Sequence, residues 1–179
     1  MRINACSWTV VTTVTLMSSV AMADLVDRWS VGSGDQTASL QFDFLDGDTY
    51  VFDISWTGEL TGREAFDLIT NDATDRFDFT FEVISYSFGD FLVGVGVDDA
   101  YDYGEGSPPD YVDIWNYWNA DTTEDPWSFA PVGFSDRMLT DGARDGWVFG
   151  TTDAPAVIPA PGLLSAALVA SLMRRRRRR

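Results

Sequence analysis

The sequence predicts an α+β domain, one short helix packed on a mostly antiparallel sheet. Three observations carry that expectation. Apolar residues recur with a period of two in residues 40–44, 50–56, 77–83 and 91–97, as half-buried strands require. One stretch alone, at residues 61–71, switches to helical spacing. The resulting order is strand, strand, helix, strand, strand, which fits a helix laid on a sheet. An all-β sandwich is the alternative arrangement.

The first strand pair follows from Leu40, Phe42 and Phe44 alternating with Gln41 and Asp43. Asp46-Gly47 offers a tight turn. Tyr50, Phe52, Ile54 and Trp56 resume the alternation, so the hairpin carries an aromatic inner face, and Thr57-Gly58 ends it. Thr61 with Glu64 three residues on fits a capping box, and Ala65, Leu68 and Ile69 then share one helical face. Asn71 is a reasonable stop.

Phe77, Phe79, Phe81 and Val83 against Asp78, Thr80 and Glu82 predict the third strand. Gly89-Asp90 is expected to turn the chain. In the fourth strand Phe91, Val93, Val95 and Val97 are expected to share a face opposite Leu92, Gly94 and Gly96. Residues 98–110, rich in acid, Gly and Pro, read as a loop. A strand rich in Tyr and Trp follows at 110–119, then a second acidic loop leading to Trp127 and Phe129. The last turn and strand end at Gly150. Residues 151–158 read as a linker.

Charge excludes several function classes. All 28 acidic residues lie between 24 and 158, with five arginines among them and neither Lys nor His anywhere. Cys6 is the only cysteine. The body therefore has no disulfide, no thiolate or imidazole for zinc, no Ser-His-Asp or Cys-His arrangement, and no Lys for a Schiff base. A surplus of 23 negative charges also repels nucleic acid. Its plain consequence is solubility in a salty medium, where screening makes the repulsion tolerable.

Both ends point to export. Arg2, the mildly apolar run Ala5–Val20 and the small-x-small site Ala21-Met22-Ala23 predict a signal peptide over 1–23, with the mature chain starting at Asp24. At the other end, Pro159 and Pro161 favour extended backbone, and Gly162–Met173 is an uncharged run. As a helix that run spans about 18 Å at about 1.5 Å per residue, short of the roughly 30 Å hydrocarbon core. Arg174, Arg175, Arg176, Arg177, Arg178 and Arg179 follow at once. Arginine stems snorkel and lengthen the effective span, and such a block stops translocation on the cytoplasmic side.

This layout resembles the PEP-CTERM sorting domain of Gram-negative bacteria, which follows an N-terminal signal peptide and is processed by exosortase, a membrane cysteine protease. The usual motif is Pro-Glu-Pro; here Pro159-Ala160-Pro161 precedes Gly162. The resemblance implies a body outside the inner membrane, held there transiently through the 159–179 segment. Processing by exosortase would then release it or attach it to the envelope or its extracellular polysaccharide. The body is also similar, over about residues 50–150, to the domain of unknown function related to the C-terminal part of cobalamin carriers such as transcobalamin. The matching pieces are "REAFDLI", "FGDFLVGVGV", "IWNYWN" and "MLTDGARDGWVFG". That family implies a small β-grasp-like domain. It does not by itself imply cobalamin, because in the carriers the domain acts with a second one.

Three constellations are candidate sites. Trp115, Tyr117 and Trp118 offer rings for a sugar or corrin, although alternation puts Trp118 on the opposite face from the other two, and core packing is the plainer role. Asp98, Asp99, Asp102 and Glu105 offer oxygen ligands for Ca²⁺, as do the pairs Asp46 with Asp48 and Asp141 with Asp145, though none has EF-hand spacing. Paired carboxylates for glycoside hydrolysis need a cleft that a body of this size hardly provides. The expectation is thus an exported, non-enzymatic envelope or matrix protein without a cofactor, calcium aside. Its alternatives are a ligand-binding module or a calcium-binding surface protein.

Overall fold

A computed structural model describes residues 24–73, 76–87 and 89–158. The expected signal peptide and the sorting segment from Pro159 onward lie outside these residues. Among the described residues no helix is long and apolar enough to cross a membrane.

The chain is mostly strand with one helix among the described residues, an α+β arrangement. Strands β1 (Asp24–Gly32), β2 (Gln36–Asp43) and β3 (Asp48–Trp56) precede helix α1 (Gly62–Asp72). Then come β4 (Phe79–Tyr86), β5 (Gly89–Val97), β6 (Ala100–Tyr103), β7 (Trp115–Ala120), β8 (Ser128–Phe129) and β9 (Ala143–Phe149). Six of them form one sheet in the order β1-β3-β2-β9-β7-β8, and β4-β5-β6 form a second. The larger sheet is mixed, with β1 parallel to β3 and β2 parallel to β9 and its other three pairings antiparallel, so antiparallel pairing predominates. The smaller is wholly antiparallel.

The β2–β3 hairpin forms as expected, with Phe42 opposite Tyr50 and Leu40 opposite Phe52. Its turn is closed by Gly47 at φ 98° and by the Asp46 carboxylate accepting from the Asp48 amide at 3.0 Å. The capping box on α1 is also present: the Glu64 amide donates to Thr61 Oγ1, and the Thr61 amide donates to Glu64 at 2.8 Å. Ala65 and Ile69 are fully buried, and so is the larger Phe66, which the apolar spacing did not single out. Its ring meets Phe42 of β2, Phe79 of β4 and Trp147 of β9 at 5.5, 5.7 and 4.9 Å. The core therefore lies where the helix and the inner faces of both sheets converge.

Four expectations need correction. First, β1 is a strand that the alternation did not reveal, because only Trp29 and Val31 are buried on this edge strand. Second, Ala100–Tyr103, expected in a loop, is β6; a two-residue turn at Asp98-Asp99, with Asp98 at φ 51°, folds it back on β5. Third, the reversal between β4 and β5 falls before Gly89, since Tyr86 pairs with Gly89. Fourth, the single face expected for Phe91, Val93, Val95 and Val97 is broken. Glu82 pairs with Gly94 but Val83 pairs with Leu92, so Val93 is the extra residue of a bulge. A bulge exchanges the faces on either side of it. Leu92 therefore joins Val95 and Val97 in the core, and Phe91 does not.

Candidate functional site

The register places three rings side by side on the inner face of the large sheet. Phe42 of β2 and Tyr117 of β7 are both paired with Trp147 of β9. Trp147 stacks on Phe42 at 5.1 Å and on Tyr117 at 4.8 Å, with interplanar angles of 12° and 9°. At the Tyr117 end the stack borders a cleft of about 270 Å³ between β5, β7 and residues 129–134. Leu92, Trp115, Phe134 and Trp147 line it, and the exposed residues Phe129 and Val132 are among its lining. Its wall is mainly apolar, with Asp90 and Asn116 as polar members.

Behind Tyr117 is a buried ionic group. The Tyr117 hydroxyl donates to Asp145 at 2.5 Å, and Arg137 donates from Nε to the other carboxylate oxygen at 2.8 Å. Arg137 also reaches the exposed Asp121 at 3.2 Å. Asp145 is 0% exposed. Burial pushes its carboxyl up to about 6, while Arg137 and the tyrosine hydroxyl pull it back. Burial and the adjacent carboxylate push the Tyr117 hydroxyl above its ordinary range, so it remains a donor at neutral pH. Each carboxylate oxygen of Asp145 is thus engaged by a donor from its own chain, which suits a positioning role for the cleft wall.

The predicted aromatic set separates as strand alternation requires. Trp115 is a core residue, its indole Nε1 donating to the Asp102 carbonyl at 3.3 Å. Tyr117 lies partly buried at the cleft. Trp118 is on the far face, edge-on to Phe129 at 5.3 Å. Trp127 is half-buried beneath the Arg144 guanidinium, 4.5 Å from its ring centre.

The predicted calcium loop is not gathered. Asp98 accepts from the Asp78 amide at 2.8 Å, Asp102 accepts from the Leu45 amide at 2.8 Å, and Glu105 accepts from the Tyr103 hydroxyl. Asp99 sits in the turn beside Asp98. Asp141 accepts from the Thr37 amide at 2.8 Å in an exposed turn, apart from the buried Asp145. Among the described residues no group of three or more acidic side chains is placed to hold a metal ion.

Sequence reasoning missed a second buried acid and what it holds. The expected linker 151–158 is laid against the outer face of the large sheet. Pro155 is buried there, packed over Gly146. The Ala156 amide donates to Asp43 at 2.7 Å, and Gln41 Nε2 donates to the Ala156 carbonyl at 3.0 Å. Gln41 and Thr49 each donate to the other Asp43 oxygen at 2.8 Å. The alternation Gln41-Phe42-Asp43 signalled outward polar residues, but not that they would be covered.

No family model matches this chain. No curated protein matches it either.

Proposed function

We propose that the chain is an exported, non-enzymatic protein of the cell envelope or extracellular matrix, carrying an exosortase-type sorting signal at residues 159–179. The observation that carries this reading is the order Pro159-Ala160-Pro161, uncharged run, six arginines, downstream of an acidic body whose cationic groups are five arginines. Translocation leaves such a body outside and the arginine block inside. The inner membrane is then a transient partner and exosortase the processing one. The docking of residues 155–157 on the sheet supports a processing point immediately after the folded body. A non-enzymatic role is supported by the residue types available, since the most buried acid is engaged by Arg137 and Tyr117.

A β-grasp-like assignment belongs to the same proposal. The mixed sheet with one helix following its first hairpin supports it, and the second sheet on the same core supports the sandwich alternative. The aromatic cleft at Tyr117 favours a second reading, a binding module for a small apolar or ring-shaped ligand.

Mass spectrometry of the exported protein tests the main reading. A product beginning at Asp24 and ending near Pro159–Gly162 is expected. Soluble secreted material still ending in Arg179 overturns it.

A further inference from the structure

The outer face of the β4-β5-β6 sheet displays two tyrosines in a constrained arrangement. On β5, Gly94 and Gly96 pair with Tyr103 and Tyr101 of β6. A Cβ on Gly96 would stand 3.3 Å from the Tyr101 ring. On Gly94 it would stand 3.3 Å from the Tyr101 hydroxyl and 3.2 Å from the Tyr103 ring. Tyr101 therefore lies flat across β5, and its hydroxyl reaches β4 to donate to Glu82 at 2.6 Å. The Tyr103 hydroxyl donates to Glu105. Both rings stay open, 54% and 45% exposed.

Glycine weakens a central strand, and its presence there often marks a close approach. Tyrosines covering glycine also shield backbone, but shielding alone needs no fixed hydroxyls. Here each ring is tethered at its tip by a carboxylate, which lowers the side-chain ordering cost of stacking. The two tyrosines are two strand residues apart, about 7 Å along β6, and carboxylate oxygens at their tips accept further hydrogen bonds. A ligand matching this face has flat apolar sides and hydroxyl donors on its rim. A polyanion is excluded by the surplus of 23 negative charges on the body. A cation would be drawn to any of those charges and needs no paired rings.

We infer that Tyr101 and Tyr103, with Glu82 and Glu105, form a binding face for a neutral polysaccharide. The face is distinct from the Tyr117 cleft. It rests on the surface-protein reading only for where such a polymer is met. Binding by the purified full chain in detergent does not depend on export, so the two readings fail separately.

The test is retention of the full chain on neutral glucan, galactan and mannan, with a sulfated glycan and polylysine as charge controls. Retention on at least one neutral polymer is expected. Tyr101→Ala with Tyr103→Ala should weaken it by about tenfold or more, as removal of central aromatic contacts does, while Tyr111→Ala at another exposed tyrosine leaves it unchanged. Tyr101→Phe keeps the ring, frees its tip and should weaken retention less; it covers the case in which the double variant folds poorly. Unaltered retention in all tyrosine variants overturns the inference. So does retention on polylysine alone, which would indicate a cationic partner, or on none of the polymers.

Discussion

Arg137 and Asp145 form an ion pair at 2.8 Å in which the carboxylate is wholly enclosed on the inner face of β9, opposite Leu40 of β2. The pair joins the 134–139 segment to the middle of the large sheet. Removing one partner leaves the other charge buried without compensation. Arg137→Ala is therefore expected to lower stability by about 3 kcal/mol, read by urea unfolding. Tyr117→Phe removes only the hydroxyl donor to that carboxylate and should cost about 1.5–3 kcal/mol with the Trp147 stack retained.

Stability should decline as pH rises from about 4 to about 6. The Asp145 carboxyl titrates at about 6 in the folded chain and near 3.9 when unfolded, so the folded state holds the proton more tightly. Its contribution is full below about pH 4 and is lost as pH rises through about 6. Burial raises Asp43 in the same direction. Glu64 and Asp113 are lowered by backbone hydrogen bonds and oppose this only at more acid pH. Thermal midpoints across this range check the sign, and Asp145→Asn should flatten the slope. A midpoint that climbs steadily toward neutral pH would contradict the assignment.

Asp43→Ala is expected to release residues 151–157 while the sheet stays folded. The Ala156 amide loses its charged acceptor, and the Gln41 and Thr49 donors lose theirs. A lost charge-assisted hydrogen bond of about 1.5 kcal/mol corresponds to roughly tenfold faster exchange. Hydrogen exchange at Ala156, compared with amides of β3, measures it.

Gly62→Ala separates helix propensity from packing. Propensity alone favours alanine by about 1 kcal/mol. However, a Cβ at Gly62 would stand 2.3 Å from the Phe134 carbonyl oxygen, and the Gly62 amide is held by the Arg137 carbonyl at 2.9 Å. Overpacking against backbone costs about 1–3 kcal/mol, so a net loss is expected in chemical denaturation. A gain would mean that the 134–137 segment yields freely.

Elements specified by neighbours in sequence were legible from it. The Phe42–Tyr50 side of the hairpin, the Thr61–Glu64 capping box and the opposed faces of Trp115 and Trp118 follow from two local periods and one spacing rule. Elements specified by distant partners were not. β1 carries few apolar residues because it is an edge, and β6 hid among acids because its tyrosines point outward. The bulge at Val93 exchanges the face that strict alternation assigns to Phe91.

The order of residues by itself determined the α+β class, the aromatic composition of the core and the absence of imidazole and lysine-amine chemistry, and it alone carries the proposal of export. Only the tertiary structure decided which of 28 acids is buried, that Asp43 holds the 155–157 segment, and that Asp145 closes on Arg137 and Tyr117. Burial of a charge is set by strands brought together from distant parts of the chain. An aspartate's local sequence carries its chemistry but not its solvent.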